Sequence, residues 1–296
     1  MSQVELVFAQ PCAVGESPVW DAAAGALWWV DIVKNTIHRL TISTNQHRAW
    51  VLPEMVGSIA RCNDGDWIAA LETRIVRVQL PDAGDARILE GFAVEHPSDE
   101  MRCNDGRCDR SGRFIVSTMY KDMSAGKSVG VLLKLDKGDV TRFFDKSFIV
   151  GNGLAFSTSG DKMYFSDSHP SIQTVWVGDY SSESGLVHSP RLFADFKHLD
   201  GRPDGAAVDI DDCYWICAND GSAVYRFTPQ GALDRKISLP IKKPSMCAFG
   251  GANFETLFVT SIRPEGVDLT DQPLAGCVFA LNPGTQGIEE PQFRVA

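Results

Sequence analysis

No apolar run in this sequence approaches the ~20 residues that a membrane-spanning helix needs. No basic stripe interrupts it either: 28 Lys and Arg face 38 Asp and Glu, for a formal net charge of −10. Nucleic-acid binding relies on clustered cations to displace counterions, so that class is disfavoured, as is docking to an anionic membrane surface. The eight cysteines form no C-x-x-C pair and no zinc-finger spacing. They are expected to be reduced thiols, packed as small hydrophobes in a cytoplasmic chain. The N-terminal stretch MSQVELVFAQ lacks the basic start and apolar core of a signal peptide. No H-E-x-x-H, G-x-S-x-G elbow, Walker loop or G-x-G-x-x-G after a strand is present, which argues against serine-hydrolase, P-loop and dinucleotide chemistry. Helical periodicity is scarce as well. What remains is a chain of short alternating strands punctuated by 26 glycines and 15 prolines.

A length of 296 residues allows two domains of about 150. An internal repeat gives a different division. SPVWDAAAGALWWVDI, GSIARCNDGDWIAAL, GRCDRSGRFIVSTM, GLAFSTSGDKMYFSDS, GAAVDIDDCYWICAN and MCAFGGANFETLFVTS share one grammar of strand, polar turn and second strand. Anchored where the first strand ends, at Asp21, Arg61, Asp109, Ser157, Asp209 and Gly250, they recur every 40 to 52 residues. Four have Gly three or four positions later, where a hairpin turn wants positive φ. A unit of about 46 residues holds four short strands, one propeller blade. The expected fold is all-β, a six-bladed β-propeller with four-stranded antiparallel blades, spanning residues 1–296 as one domain. VELVF and GCVFAL are candidates to share a blade and close the ring.

In a propeller the first strand of each blade lines the central channel, so residues just before it meet at one mouth. Five positions before the anchors stand Glu16, Val56, Asn104, Asn152, Asp204 and Ser245. Ten positions after them stand Asp31, Leu71, Met119, Asp167, Asn219 and Thr260. Asn63-Asp64-Gly65 lies out of this register and reads as a plain turn. Converging carboxylates repel one another, and a bound cation keeps them ionised. Glu16, Asp204 and the Asn152 amide are hard oxygen donors, which favours Ca²⁺, Mg²⁺ or Mn²⁺, with Zn²⁺ and Fe²⁺ possible at an open site. Asp31, Asp167 and Asn219 are expected to surround this set. Of the six histidines, only His169 is placed near the mouth.

Five stretches, GESPVW, RCNDGRCDRSGRF, GNGLAFS, RPDGAAVD and CAFGGANFETLFVTS, resemble in order the motifs of the regucalcin, gluconolactonase and luciferin-regenerating-enzyme family of six-bladed propellers. The resemblance implies one divalent metal on Glu16, Asn152 and Asp204. It implies that Arg102 and Asn104 face the substrate and that Asp204 doubles as catalytic base. Asp122 takes the place of an acidic substrate contact, and Ser17 stands where some members have Gly. The implied activity is metal-dependent hydrolysis of a sugar lactone to its aldonic acid. The alternatives are an organophosphate or aryl-ester hydrolase, and a non-enzymatic calcium-binding regulatory propeller. Specificity is expected in the loops Tyr120–Ser128 and Ser168–Thr174.

Overall fold

The computed structural model describes residues 4–295. They form six four-stranded antiparallel sheets arranged as a propeller. Among the described residues the helical segments are two short 3-10 turns, Met123–Ala125 and Phe196–His198. The innermost strands are Gly15–Asp21, Val56–Arg61, Met101–Cys108, Gly151–Phe156, Arg202–Val208 and Pro244–Gly250. They end within one residue of the repeat anchors. Val4–Phe8 pairs with Val278–Leu281 as the outermost strand of the sixth blade, closing the ring as the sequence suggests.

The hydrophobic cores lie between blades. Trp28, Trp50 and Trp67 pack the first blade against the second, Phe114 and Leu133 join Ile68 between the second and third, and Tyr164 meets Tyr214 between the fourth and fifth. Sheets stacked this way bury each face only against a neighbour. Each fully buried large apolar side chain contributes about 2–3 kcal/mol. All eight cysteines are buried and unpaired within these layers.

The repeat anchors explain the hairpins. The carboxylates of Asp21, Asp109 and Asp209 accept backbone N–H groups two to four residues on: Ala23 and Ala24, Ser111 and Arg113, Asp211 and Cys213. Ser157 does the same with its hydroxyl for Asp161 and Lys162. Gly25, Gly65, Gly112 and Gly160 all have positive φ, as the turn pattern requires.

Each innermost strand also carries one extra residue relative to its partner, a β-bulge at nearly the same register. The shifts fall at Glu16/Val19, Val56/Ser58, Cys103/Gly106, Asn152/Ala155, Pro203/Ala206 and Pro244/Cys247. The residues expected just before these strands therefore lie inside them, at the bulge. A bulge breaks the pleat and re-aims its side chains, so Glu16, Asn104, Asn152 and Asp204 leave the sheet face for the channel.

The other end of the channel is covered. Residues 286–295 run across it, with Phe293 bonded to Arg61 and Asn63, Arg294 to Gly112, and Glu290 paired with Arg107 at 2.8 Å.

Candidate active site

The bulges of the first, third, fourth and fifth blades line a cavity of about 260 Å³ at the uncovered end of the channel. Glu16, Asn104, Asn152 and Asp204 contribute to it together with Arg102. One side is apolar, built by Val14, Ile32, Met119, Val150 and Ile262; Arg202, Asn219 and Lys243 supply a polar one. The second blade contributes no residue to the lining, consistent with the buried Val56 at its register position. Ser245 of the sixth blade instead gives its hydroxyl to the Gly15 carbonyl, tying the ring beside Glu16.

Every polar side chain here is oriented by a second one. Ser17 adopts φ 48°, which turns its N–H onto Glu16 Oε2 at 3.1 Å, while its hydroxyl accepts the Ile59 N–H at 2.9 Å. That left-handed conformation explains why a turn residue, Ser or Gly, belongs at this position. Asn152 Nδ2 donates to Ser168 Oγ at 2.8 Å, which leaves its Oδ1 as the acceptor on the cavity side, where Asn104 Nδ2 meets it at 3.0 Å. Arg102 Nη1 donates to Asn104 Oδ1 at 2.8 Å and to the Cys103 carbonyl. Asn219 Nδ2 donates to Asp204 Oδ2 at 2.7 Å. Among the described residues, Glu16 Oε1 and Asp204 Oδ1 have no hydrogen-bond partner.

The electrostatics follow from enclosure. Burial pushes the Glu16 carboxyl well above the usual carboxylate range, and the neighbouring Asp204 and Asp105 charges add to it. Burial likewise raises Asp204 to about 7, against the Asn219 hydrogen bond and the charges of Arg202 and Lys243. Arg102 is lowered by the same desolvation. Two buried carboxylates, each with an oxygen to spare, beside an amide oxygen fixed in place make a donor set for a hard cation. Among the described residues no three His, Cys, Asp or Glu side chains cluster, so such a set needs the Asn152 oxygen. The residues present fit a divalent cation held at low ligand count, with room for water and substrate.

Four expectations for this region change. Asp31 and Asp167 do not sit as a free polar ring around the cation donors. Asp31 accepts the Ala13 and Val14 N–H groups, and Asp167 those of Ile149, Val150 and His169. They clamp the chain as it enters the first and fourth blades, because those backbone donors have no ladder partner. Asn219 alone of that outer set touches the inner one. Asp122 lies outside the cavity lining, exposed, capping the 3-10 turn through Ser124, which lowers its pKa. His169 bonds Ser171 in its own loop and is not among the lining residues.

The sequence reading passed over Arg202 and Lys243. Arg202 stands two residues before Asp204, as Arg102 stands two before Asn104, and that register was the available signal. Arg202 pairs with Asp220 at 2.8 Å, and Lys243 Nζ bonds the other Asp220 oxygen. Both also meet Asn219 Oδ1, at 3.1 and 3.5 Å.

Known proteins resemble this chain along its length. The family described as SMP-30/Gluconolactonase/LRE-like region matches residues 14–263. A 6-deoxy-6-sulfogluconolactonase of Pseudomonas putida is 34% identical, covering 98% of this chain and 98% of its own. An L-arabinolactonase of Azospirillum brasilense is 33% identical over 95% of this chain and 92% of its own. The crystal structure of a calcium-binding protein, regucalcin, from Agrobacterium tumefaciens superposes with a TM-score of 0.91 at 26% identity, covering 99% of this chain and 98% of that one.

Proposed function

Because the chain belongs to the SMP-30/Gluconolactonase/LRE-like family, we propose that it is a lactone-hydrolysing enzyme whose channel cavity converts a sugar lactone to the aldonic acid with a divalent cation on Glu16, Asn152 and Asp204. The observation that carries this reading is the pair of half-satisfied buried carboxylates beside a fixed amide oxygen, in a cavity sized for a small ring. The lactonase names of relatives in two other bacteria support the reaction class. Hard oxygen donors and a similar structure described as calcium-binding favour Ca²⁺, with Mg²⁺ and Mn²⁺ next.

A cation bound there supplies Lewis-acid polarisation of the lactone carbonyl. Asp204, fixed by Asn219 on one oxygen, has the other free to take the proton of the attacking water. A carboxylate with its pKa raised toward neutrality suits that task. Arg102 and Asn104 orient the ring through its oxygens, Arg102 being anchored at Nη1. The apolar side, with Ile32, Met119 and Val150, excludes bulk water from one flank. The same reading takes residues 1–296 as a single domain, supported by the pairing of Val4–Phe8 with Val278–Leu281. It takes the chain as cytoplasmic, supported by eight unpaired buried thiols. Among the described residues no helix is long and apolar enough to cross a membrane.

The test is a pH-stat assay over aldonolactones on chelated protein with each divalent cation restored in turn. Turnover is expected to return with the cation, and Asp204→Ala is expected to lose about 10³-fold or more in kcat. Full activity of that variant under chelation refutes the mechanism.

A further inference from the structure

We propose that the substrate is a lactone carrying an anionic group on its exocyclic carbon, and that Lys243, with Arg202, receives that anion. This rests on the lactonase reading above and specifies its substrate class.

The first observation is a charge surplus on one side. Arg202 and Lys243 both line the cavity, and a single carboxylate, Asp220, serves both. Asp220 has φ 71° and sits beside Gly221, whose Cβ position is only 2.3 Å from the Asp200 carbonyl. The loop is therefore held tightly, and the two cations are preorganised. Counting the lining residues alone, Arg102, Arg202 and Lys243 face Glu16 and Asp204. The cavity thus has a positive surplus before any divalent cation enters, and a neutral polyol ring gains nothing from it.

The second observation is that neither Lys243 nor Arg202 contacts the inner carboxylates. Asn219 does, and its amide separates the two functions. Its Nδ2 holds Asp204 at 2.7 Å, while its Oδ1 meets Lys243 at 3.5 Å and Arg202 at 3.1 Å. The path from Asp204 to the Lys243 ammonium is two hydrogen bonds and one amide width, under about 9 Å. A six-carbon lactone reaches a comparable distance from its carbonyl to an exocyclic substituent. The apolar side opposite, Ile32, Met119 and Val150, offers an anion no partner. Charge therefore sets one orientation: carbonyl at Glu16, Asn152 and Asp204, anion at Lys243.

The experiment compares kcat/KM for a neutral hexonolactone with matched lactones bearing a terminal carboxylate, sulfonate or phosphate. It uses the cation-loaded wild type, Lys243→Met and Lys243→Arg. Wild type is expected to prefer at least one anionic lactone by about tenfold, and Lys243→Met to collapse that ratio by a similar factor, chiefly through KM. Lys243→Arg keeps the charge and retains the preference, and added salt erodes it. The three arms identify the anion. Equal or better turnover of the neutral lactone by wild type overturns the inference while leaving the lactonase reading intact. An equal loss on neutral and anionic lactones in Lys243→Met overturns it too, assigning Lys243 to the charge balance of Asp204. Failure of every lactone overturns the lactonase reading and this inference with it.

Discussion

Replacing Asp204 with Asn should make the cation-free protein more stable at pH 8 and leave it nearly unchanged at pH 5. Burial raises the Asp204 carboxyl from 3.8 to about 7. A carboxyl with its folded pKa above its unfolded one favours folding while protonated. Its contribution is complete below about pH 4 and is lost as pH rises through about 7. A shift of about three units corresponds to about 4 kcal/mol. For a chain of this size that is roughly 8 °C in melting temperature. Asn is nearly isosteric with protonated Asp and accepts the same Asn219 hydrogen bond, so it removes the penalty and little else. The comparison with the variant matters because His38, lowered by burial to about 4, gains stability as pH rises toward 6.5 and opposes the raw trend. That term cancels between the two proteins. The assay is a pair of melts in chelator at pH 5 and pH 8, then at pH 8 with millimolar Ca²⁺ or Mn²⁺. At a hundredfold excess over Kd the cation returns about 2.7 kcal/mol to wild type and little to the variant. If Asp204→Asn melts at or below wild type at pH 8 in chelator, Asp204 is not an electrostatically strained carboxylate and the cation argument falls.

Other substitutions separate the parts of the site. Gly153→Ala places a Cβ 2.6 Å from Ser166 Oγ and Tyr214 Oη at φ 65°, so it should cost about 1–3 kcal/mol and depress kcat by displacing Asn152, read by melting and pH-stat rates. Asp122→Ala should leave kcat/KM within twofold of wild type, since that carboxylate serves only its own turn. Asp209→Ala removes the partner of Trp215 Nε1 and Arg226 Nε and two backbone N–H groups. It should lower stability by about 3–5 kcal/mol by denaturant titration, with kcat per folded molecule unchanged.

The blade repeat was legible because its turns obey local chemistry. An Asp or Ser that caps its own hairpin, followed by Gly at positive φ, leaves the same mark four times. Glu16, Asn104, Asn152 and Asp204 were legible because they keep one offset from that mark. Their place inside the strand was not, since a bulge leaves no residue-type signature and shows only as one extra residue against the partner strand. Asp31 and Asp167 misled for a related reason. Their offset was right, but a carboxylate at a strand end serves unpaired backbone donors as readily as a ligand. The closure of the lower mouth by residues 286–295 depends on contacts with the second, third and fifth blades that no local pattern encodes.

Asp204 and Asp209 show how one strand end serves stability and the other function. They lie five residues apart on the same blade, flanking the innermost strand's bulge and its turn. Asp209 accepts four hydrogen bonds, from two backbone N–H groups, Trp215 and Arg226, which is what a buried carboxylate needs to remain ionised without cost. Asp204 accepts one from a side chain, and its remaining oxygen is enclosed without a protein partner among the described residues. The lower face, crossed by the terminal segment and closed by satisfied Asp turns, keeps the blades in register. That register lets the upper face carry groups left short of partners. A cation and a substrate supply the missing contacts at Glu16 and Asp204, and the same deficit that destabilises the empty site drives their binding.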